Sequence, residues 1–260
     1  MDYTKLKLLG EGVGSKVYLI NYNEQYAVLK ELKSKRLNEI EILEKISKHP
    51  NCYPTIVCIY EHFTVGETIF IIEEFIDGVT LRDYTKLNFF THDDIVTVMK
   101  QLINAVEYLH RHNVAHRDIK LENVMLNLKH HVKLIDFDYS CIDECKQVVR
   151  GTPNYLSLEL VNNVKGNDEK DQLEIYKKSD VYALGILFYY LIHNEMPYPS
   201  SVKTLKDVVK YIKENELTST SEYPDLDKIV NVMLIKDYKD RPSILDVKEN
   251  FKMVRKEEEV

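Results

Sequence analysis

The hydrophobic period of this chain changes once, near Phe75 to Gly78, and that change restricts the fold more than any other feature. Ahead of it, Thr4 to Gly10, Lys16 to Asn21 and Gln25 to Leu32 read as strands, the first two flanking a glycine-rich turn. Leu37, Ile40, Leu43 and Ile46 recur every third residue, so residues 36–47 read as a helix that stops at His49-Pro50-Asn51. Thr55 to Tyr60 and Thr68 to Phe75 read as two more strands, with Val65-Gly66-Glu67 as a hairpin turn. After Asp77-Gly78 the pattern is helical. His92 to Arg111 carries Ile95, Val98, Met99, Leu102, Ala105, Val106 and Leu109 on one face, and the almost wholly apolar run Asp180 to His193 predicts a buried helix. Short strands are expected at Val124 to Leu126 and Val132 to Ile135, and a polar surface loop over residues 162–178. A small β-rich half thus precedes a large helical half, and the cleft between two such halves is a natural ligand site.

Composition narrows the function. The 260 residues suffice for a sizeable core, and 44% hydrophobic with 30% charged residues describes a soluble globular chain. No apolar run approaches the ~18 residues that span a bilayer, and the first residues carry no signal pattern, so a cytosolic address and no membrane partner are expected. A net charge of −7 argues against nucleic acid as a partner. The cysteines Cys52, Cys58, Cys141 and Cys145 form no Cys-x-x-Cys pair, so zinc is not expected and reduced thiols are; Cys141 and Cys145 are the alternative redox pair.

Four segments carry charge where chemistry would use it. Leu9-Gly10-Glu11-Gly12-Val13-Gly14-Ser15-Lys16-Val17 puts glycines between two strands, which lets backbone N–H groups approach phosphates; a plain hairpin would need glycine too. Ala27-Val28-Leu29-Lys30 ends an apolar strand in a lysine, whose burial requires an acid such as Glu39 or Glu41 on the next helix. In His116-Arg117-Asp118-Ile119-Lys120-Leu121-Glu122-Asn123, Asp118 suits a base that accepts a hydroxyl proton, Lys120 a phosphate contact, and Asn123 a neutral oxygen ligand for Mg²⁺. Leu134-Ile135-Asp136-Phe137-Asp138 ends a strand in a second candidate metal ligand, Asp136.

In this order, with Gly151-Thr152-Pro153-Asn154-Tyr155, Ser157-Leu158-Glu159, Ser179-Asp180 and Arg241-Pro242 following, the chain resembles the eukaryotic protein kinase family over essentially its entire length. The resemblance implies an α+β bilobal fold in one domain, residues 1–260. A β-rich N-lobe with one helix covers about 1–75, a hinge about 74–78, and a mainly helical C-lobe about 79–260. It implies a serine/threonine kinase that moves the γ-phosphate of Mg-ATP onto Ser or Thr hydroxyls of protein substrates. Residues 10–17 would cover the phosphates; Leu9, Val17, Ala27 and Met125 would enclose adenine, and backbone groups of Glu74 and Ile76 would contact it. Lys30, paired with Glu39 rather than Glu41, would hold the α- and β-phosphates. Asp118 would be the base, Lys120 the γ-phosphate contact, and Asn123 and Asp136 the magnesium ligands. Glu159 would pair with Arg241, Asp180 would anchor the catalytic loop, and Leu43, Ile59, Phe137 and His116 would stack between the lobes.

The chain departs from the family pattern at four places. Ser15 stands where the third loop glycine is usual, with Gly14 before it. Asp138 replaces a glycine, which implies backbone strain there and a stiffer metal loop. Glu73 aligns with the position behind adenine that is usually apolar or threonine, so it needs a partner or a raised pKa. Residues 141–151 hold no Ser, Thr or Tyr, so activity without phosphorylation of this segment is expected, with Arg117 meeting Asp143 or Glu144 instead. The alternatives are a pseudokinase that binds nucleotide as a scaffold and a small-molecule phosphotransferase. Retention of Lys30, Asp118, Asn123 and Asp136 speaks against the first, and the Gly151-Thr152-Pro153 turn with Glu159 and Arg241 against the second.

Overall fold

A computed structural model describes residues 3–12, 14–33, 37–202 and 204–258. Its first part is a five-stranded antiparallel sheet of β1 (Tyr3–Gly12), β2 (Ser15–Tyr22), β3 (Gln25–Leu32), β4 (Ile59–Val65) and β5 (Thr68–Glu74), in the order β1-β2-β3-β5-β4. Side chains alternate across it with a period of two. Ile20, Ala27, Leu29 and Ile72 pack together on one face, while Leu32, Ile69 and Ile71 face helix α1 (Leu37–Ile46) on the other. Lys30 shares the inner face with Leu32, and Glu73 shares it with Ile69 and Ile71.

The expected strand over residues 55–60 begins only at Ile59. Residues 56–58 are buried without alternation, so no solvent face exists for a strand to present. They pair with the large lobe instead: Val57 N donates to Leu134 O and Leu134 N donates to Thr55 O. This ties the small lobe to the large one.

The large lobe opens with β6 (Val79–Thr80), then α2 (Leu81–Leu87) and α3 (His92–Arg111), whose Thr91 and Asp94 form a capping box. Next come β7 (Val114–Ala115), β8 (Val124–Leu126), β9 (Val132–Leu134) and β10 (Cys141–Ile142). β8 pairs with β6 and β9, and β7 pairs with β10. The rest is α4 (Leu158–Val161), α5 (Glu169–His193), α6 (Leu205–Glu214), α7 (Pro224–Met233) and α8 (Ile244–Glu258).

Helix α5 corrects the expected loop over residues 162–178: it starts eleven residues before Asp180. Asp168 caps it by accepting from the backbone N–H of Lys170 and Asp171, and Leu173, Ile175 and Tyr176 are buried among its charged residues. The cysteines are also corrected. Local turns bring the Cα atoms of Cys52 and Cys58 to 5.3 Å and of Cys141 and Cys145 to 5.6 Å, and both pairs form disulfides rather than free thiols. Among the described residues no helix is long and apolar enough to cross a membrane.

One buried cluster runs through both lobes, from Leu32, Leu43 and Ile59 to Phe137, Leu184 and Val247. The cleft that holds the charged motifs therefore sits on a continuous core.

Candidate active site

A cavity of about 360 Å³ opens between the lobes. Leu9, Ser15 and Val17 line it from β1 and β2, Val28 and Lys30 from β3, Glu73 and Glu74 from the end of β5, Phe75 and Ile76 from the hinge, and Asn123, Met125 and Asp136 from the large lobe. Ala27 does not. It packs with Ile20 and Leu29 on the outer face, because its parity is opposite to that of Lys30. Val28, two residues before the lysine, is the apolar wall that the sequence reading missed and that a strict period of two identifies.

The glycine-rich hairpin forms by pairing Gly10 with Val17 and Gly12 with Ser15, and Gly14 turns it with φ +80°. Lys33 N donates to Gly14 O across 2.9 Å, which ties the tip to the end of β3. Glu11 and Lys16 pair with each other at 3.1 Å, both substantially exposed. With Gly12 and Gly14 they line a separate concavity rather than the cleft. Val13 lies outside the described residues.

At the back of the cleft Lys30 Nζ lies 2.8 Å from Glu39 Oε1 and 3.0 Å from Glu73 Oε2. Glu39 stands in the first turn of α1 and is buried, whereas Glu41 is exposed. Glu39 also accepts from Phe137 N at 3.4 Å. Burial opposes the charge of Lys30, but Glu39, Glu73 and Asp136 outweigh it and raise its pKa above the ordinary lysine value. Burial is likewise the largest influence on Glu73. Lys30 draws its pKa down, Glu39 and Asp136 push it up, and the balance places it at about 7. One ammonium cannot fully compensate two buried carboxylates. The carboxylate of Glu74 points elsewhere: it accepts from Cys58 N at 2.8 Å and from Lys133 Nζ at 2.6 Å, anchoring the start of the hinge.

The loop after β7 gathers the remaining chemistry. Asp118 is buried, and its carboxylate accepts from Lys120 Nζ at 2.5 Å, Thr152 Oγ1 at 2.9 Å and Asn123 Nδ2 at 3.0 Å. Lys120 also donates to Thr152 at 3.0 Å. Asn123 spends its amide N–H groups on the carboxylate and carbonyl of Asp118 while lining the cleft beside Asp136. Asp180, 1% exposed, fixes this loop from α5 by accepting from His116 N and Arg117 N at 2.8 Å each and meeting His110 Nε2 at 3.1 Å. His116 stands edge-on to Phe137 at 4.9 Å, and Leu43, Ile59 and Phe137 belong to the shared core. Deeper in the lobe, Arg241 donates to both oxygens of Glu159, at 2.6 and 3.2 Å, and to three backbone carbonyls.

Two further expectations are corrected. Arg117 meets neither Asp143 nor Glu144 in a hydrogen bond. It donates to Val148 O and stacks 4.0 Å over Tyr176, while Asp143 is taken by Lys45 of α1 at 2.8 Å. The left-handed backbone falls on Asp136, with φ +65°, and not on Asp138, so replacing the usual glycine at 138 introduces no strain there.

The protein-family profile described as "Protein kinase domain" matches residues 3–251. Among curated proteins, "Putative serine/threonine-protein kinase R436" of Acanthamoeba polyphaga mimivirus is 35% identical over 68% of this chain and 60% of its own length. "Probable serine/threonine-protein kinase mkcE" of Dictyostelium discoideum is 32% identical over 93% of this chain and 35% of its own length. "CBL-interacting protein kinase 10" of Oryza sativa subsp. japonica is 28% identical over 94% of this chain and 55% of its own length. The chain thus spans between about a third and three fifths of these relatives. With a profile match over nearly its whole length, on a two-lobed fold with the paired lysine and the buried aspartate loop in one cleft, the chain belongs to the protein kinase family.

Proposed function

We propose that this chain is a serine/threonine protein kinase that transfers the γ-phosphoryl group of ATP, with Mg²⁺, to a Ser or Thr hydroxyl of a protein. The observation that carries this reading is the position of Asn123. It lines the same cavity as Lys30 and Asp136, and it also hydrogen-bonds the carboxylate of Asp118. A triphosphate held by Lys30 would therefore present its terminal group near Asp118.

Each residue has a definable task. Lys30, held by Glu39, binds the α- and β-phosphates. Backbone of the residue 10–16 hairpin closes over the phosphates, and Val17, Val28 and Met125 pack on the base. Asp118 orients the acceptor hydroxyl and takes its proton. Lys120, already against Asp118 and Thr152, neutralises charge on the transferred group.

The donor set fits magnesium. Asp136 offers a carboxylate, and Asn123, whose N–H groups are committed to Asp118, has only its carbonyl oxygen to give. Bound there, the ion would neutralise phosphate charge. The contact of Lys120 with Thr152 and the serine/threonine-protein kinase names of the mimivirus and Dictyostelium relatives support Ser or Thr as acceptor.

The test is transfer of labelled phosphate from ATP to a generic protein substrate, with Asp118→Ala as the control. Loss of a general base costs about 10²- to 10⁴-fold. Wild-type activity no higher than that of the variant would leave the pseudokinase reading in its place.

A further inference from the structure

The carboxylate of Glu73 occupies a position that the proposed reaction does not use. β5 brings Glu73 opposite Val28 on the inner face of the sheet, one diagonal step from Lys30. Its oxygens stand 3.0 and 3.1 Å from Lys30 Nζ, and its side chain is 4% exposed. Glu39, at 3% side-chain exposure, takes the same ammonium and has a second anchor in Phe137 N. Among the described residues, the side-chain hydrogen bonds of Glu73 go to Lys30 alone. Lys30 keeps 17% side-chain exposure and so remains the member of the trio that an entering ligand reaches. An ammonium has three donors; Glu39 and Glu73 engage two of them.

We propose that Glu73 sets the nucleotide affinity of this cleft by competing with phosphate for Lys30. Its carboxylate holds the ammonium where a phosphate oxygen must arrive, and its negative charge opposes the triphosphate across the short remaining distance. Glu39 anchors Lys30 in both the empty and the filled cleft, whereas Glu73 gives way as the phosphate enters. The consequence is selective: phosphate-bearing ligands are held back, and a nucleoside without phosphates is not. The inference rests on reading Lys30 as the phosphate ligand.

Calorimetric titration of ATP and of adenosine into wild-type protein, Glu73→Gln and Glu73→Met tests it. Gln keeps the shape and an acceptor for Lys30; Met removes both. Removing one buried like charge should tighten ATP by about tenfold in both variants while adenosine changes less than about twofold. An unchanged or weaker ATP affinity in Glu73→Gln overturns the proposal. So does equal tightening of ATP and adenosine, which would make position 73 a matter of pocket shape. Gain in Glu73→Met without gain in Glu73→Gln has the same meaning. If adenosine and ATP both fail to bind any of the three proteins while all melt cooperatively, the nucleotide-site reading itself fails, a result distinct from the others.

Discussion

Lys30, Glu39 and Glu73 form a cluster of one basic and two acidic groups at the back of the cleft, both acids buried. Such a cluster is costly to break on one side, because the groups left behind lose their counter-charge. Lys30→Met should therefore destabilise the protein by about 3–5 kcal/mol. Adding Glu73→Met should restore part of that loss, which urea denaturation of the two single variants and the double variant would measure. Protonation of Glu73 gives an independent check. Its pKa rises from near 4.5 in the unfolded chain to about 7 in the folded one, so the folded state binds the extra proton between those values. The associated stability is fully present below about 4.5 and is lost as pH climbs through about 7. Wild type should accordingly lose up to ~3 kcal/mol relative to Glu73→Gln over that interval, and a flat difference would refute the assignment.

At the scale of elements, two features make testable claims. Helices α5 and α7 approach closely at Gly185, where an added Cβ would lie 2.9 Å from Met233 Cβ. Gly185→Ala should cost about 1–3 kcal/mol despite the better helix propensity of alanine, and thermal or urea melts would show it. Contacts within the large lobe hold residues 141–151. β10 pairs with β7, Val148 N donates to Tyr176 Oη at 2.9 Å, and Arg117 holds Val148 O. Tyr176 thus holds these residues through its hydroxyl on Val148 and its ring against Arg117. Enzyme produced in bacteria should show full transfer activity with no modified residue between 141 and 151, as checked by mass spectrometry. Tyr176→Phe should lower that activity by loosening the segment, with ATP binding retained.

Across the whole molecule, the buried cluster that crosses from the small sheet into the helical lobe predicts a single unfolding transition. The chain has no tryptophan, so reporters can be added singly at Tyr26 in the small lobe, 60% exposed, and at Phe89 in the large lobe, 84% exposed. Both should report the same urea midpoint as far-ultraviolet circular dichroism. Separate midpoints would mean that the lobes unfold independently, and that the hydrogen bonds of Thr55 and Val57 to Leu134 contribute little to coupling them.

The sequence by itself determined the strands ahead of Phe75, the helix His92–Arg111 and the helical run into His193, the change from strands to helices, and the ordered motifs, because period and turn chemistry act over a few residues; the smaller helices of the large lobe gave no such signal. The helix His92–Arg111 and the strand Gln25–Leu32 were legible to the residue for that reason. Local pattern failed where packing supplied what the pattern lacked. Residues 169–178 look like surface, yet they are the first turns of α5, held by a cap and by Tyr176 buried against residues 146–148. Val28 was legible by its parity with Lys30, although the sequence reading took Ala27 instead. The partners of Arg117, Asp143 and Glu73 lie 31, 98 and 43 residues away in the chain. Strand pairing of β3 with β5 brings Glu73 to Lys30, packing of the large lobe brings Arg117 to Val148 O, and of these only the Lys45–Asp143 pair crosses between the lobes. None of these contacts is local, so the pairing, and with it the electrostatics of the cleft, was decided by tertiary structure.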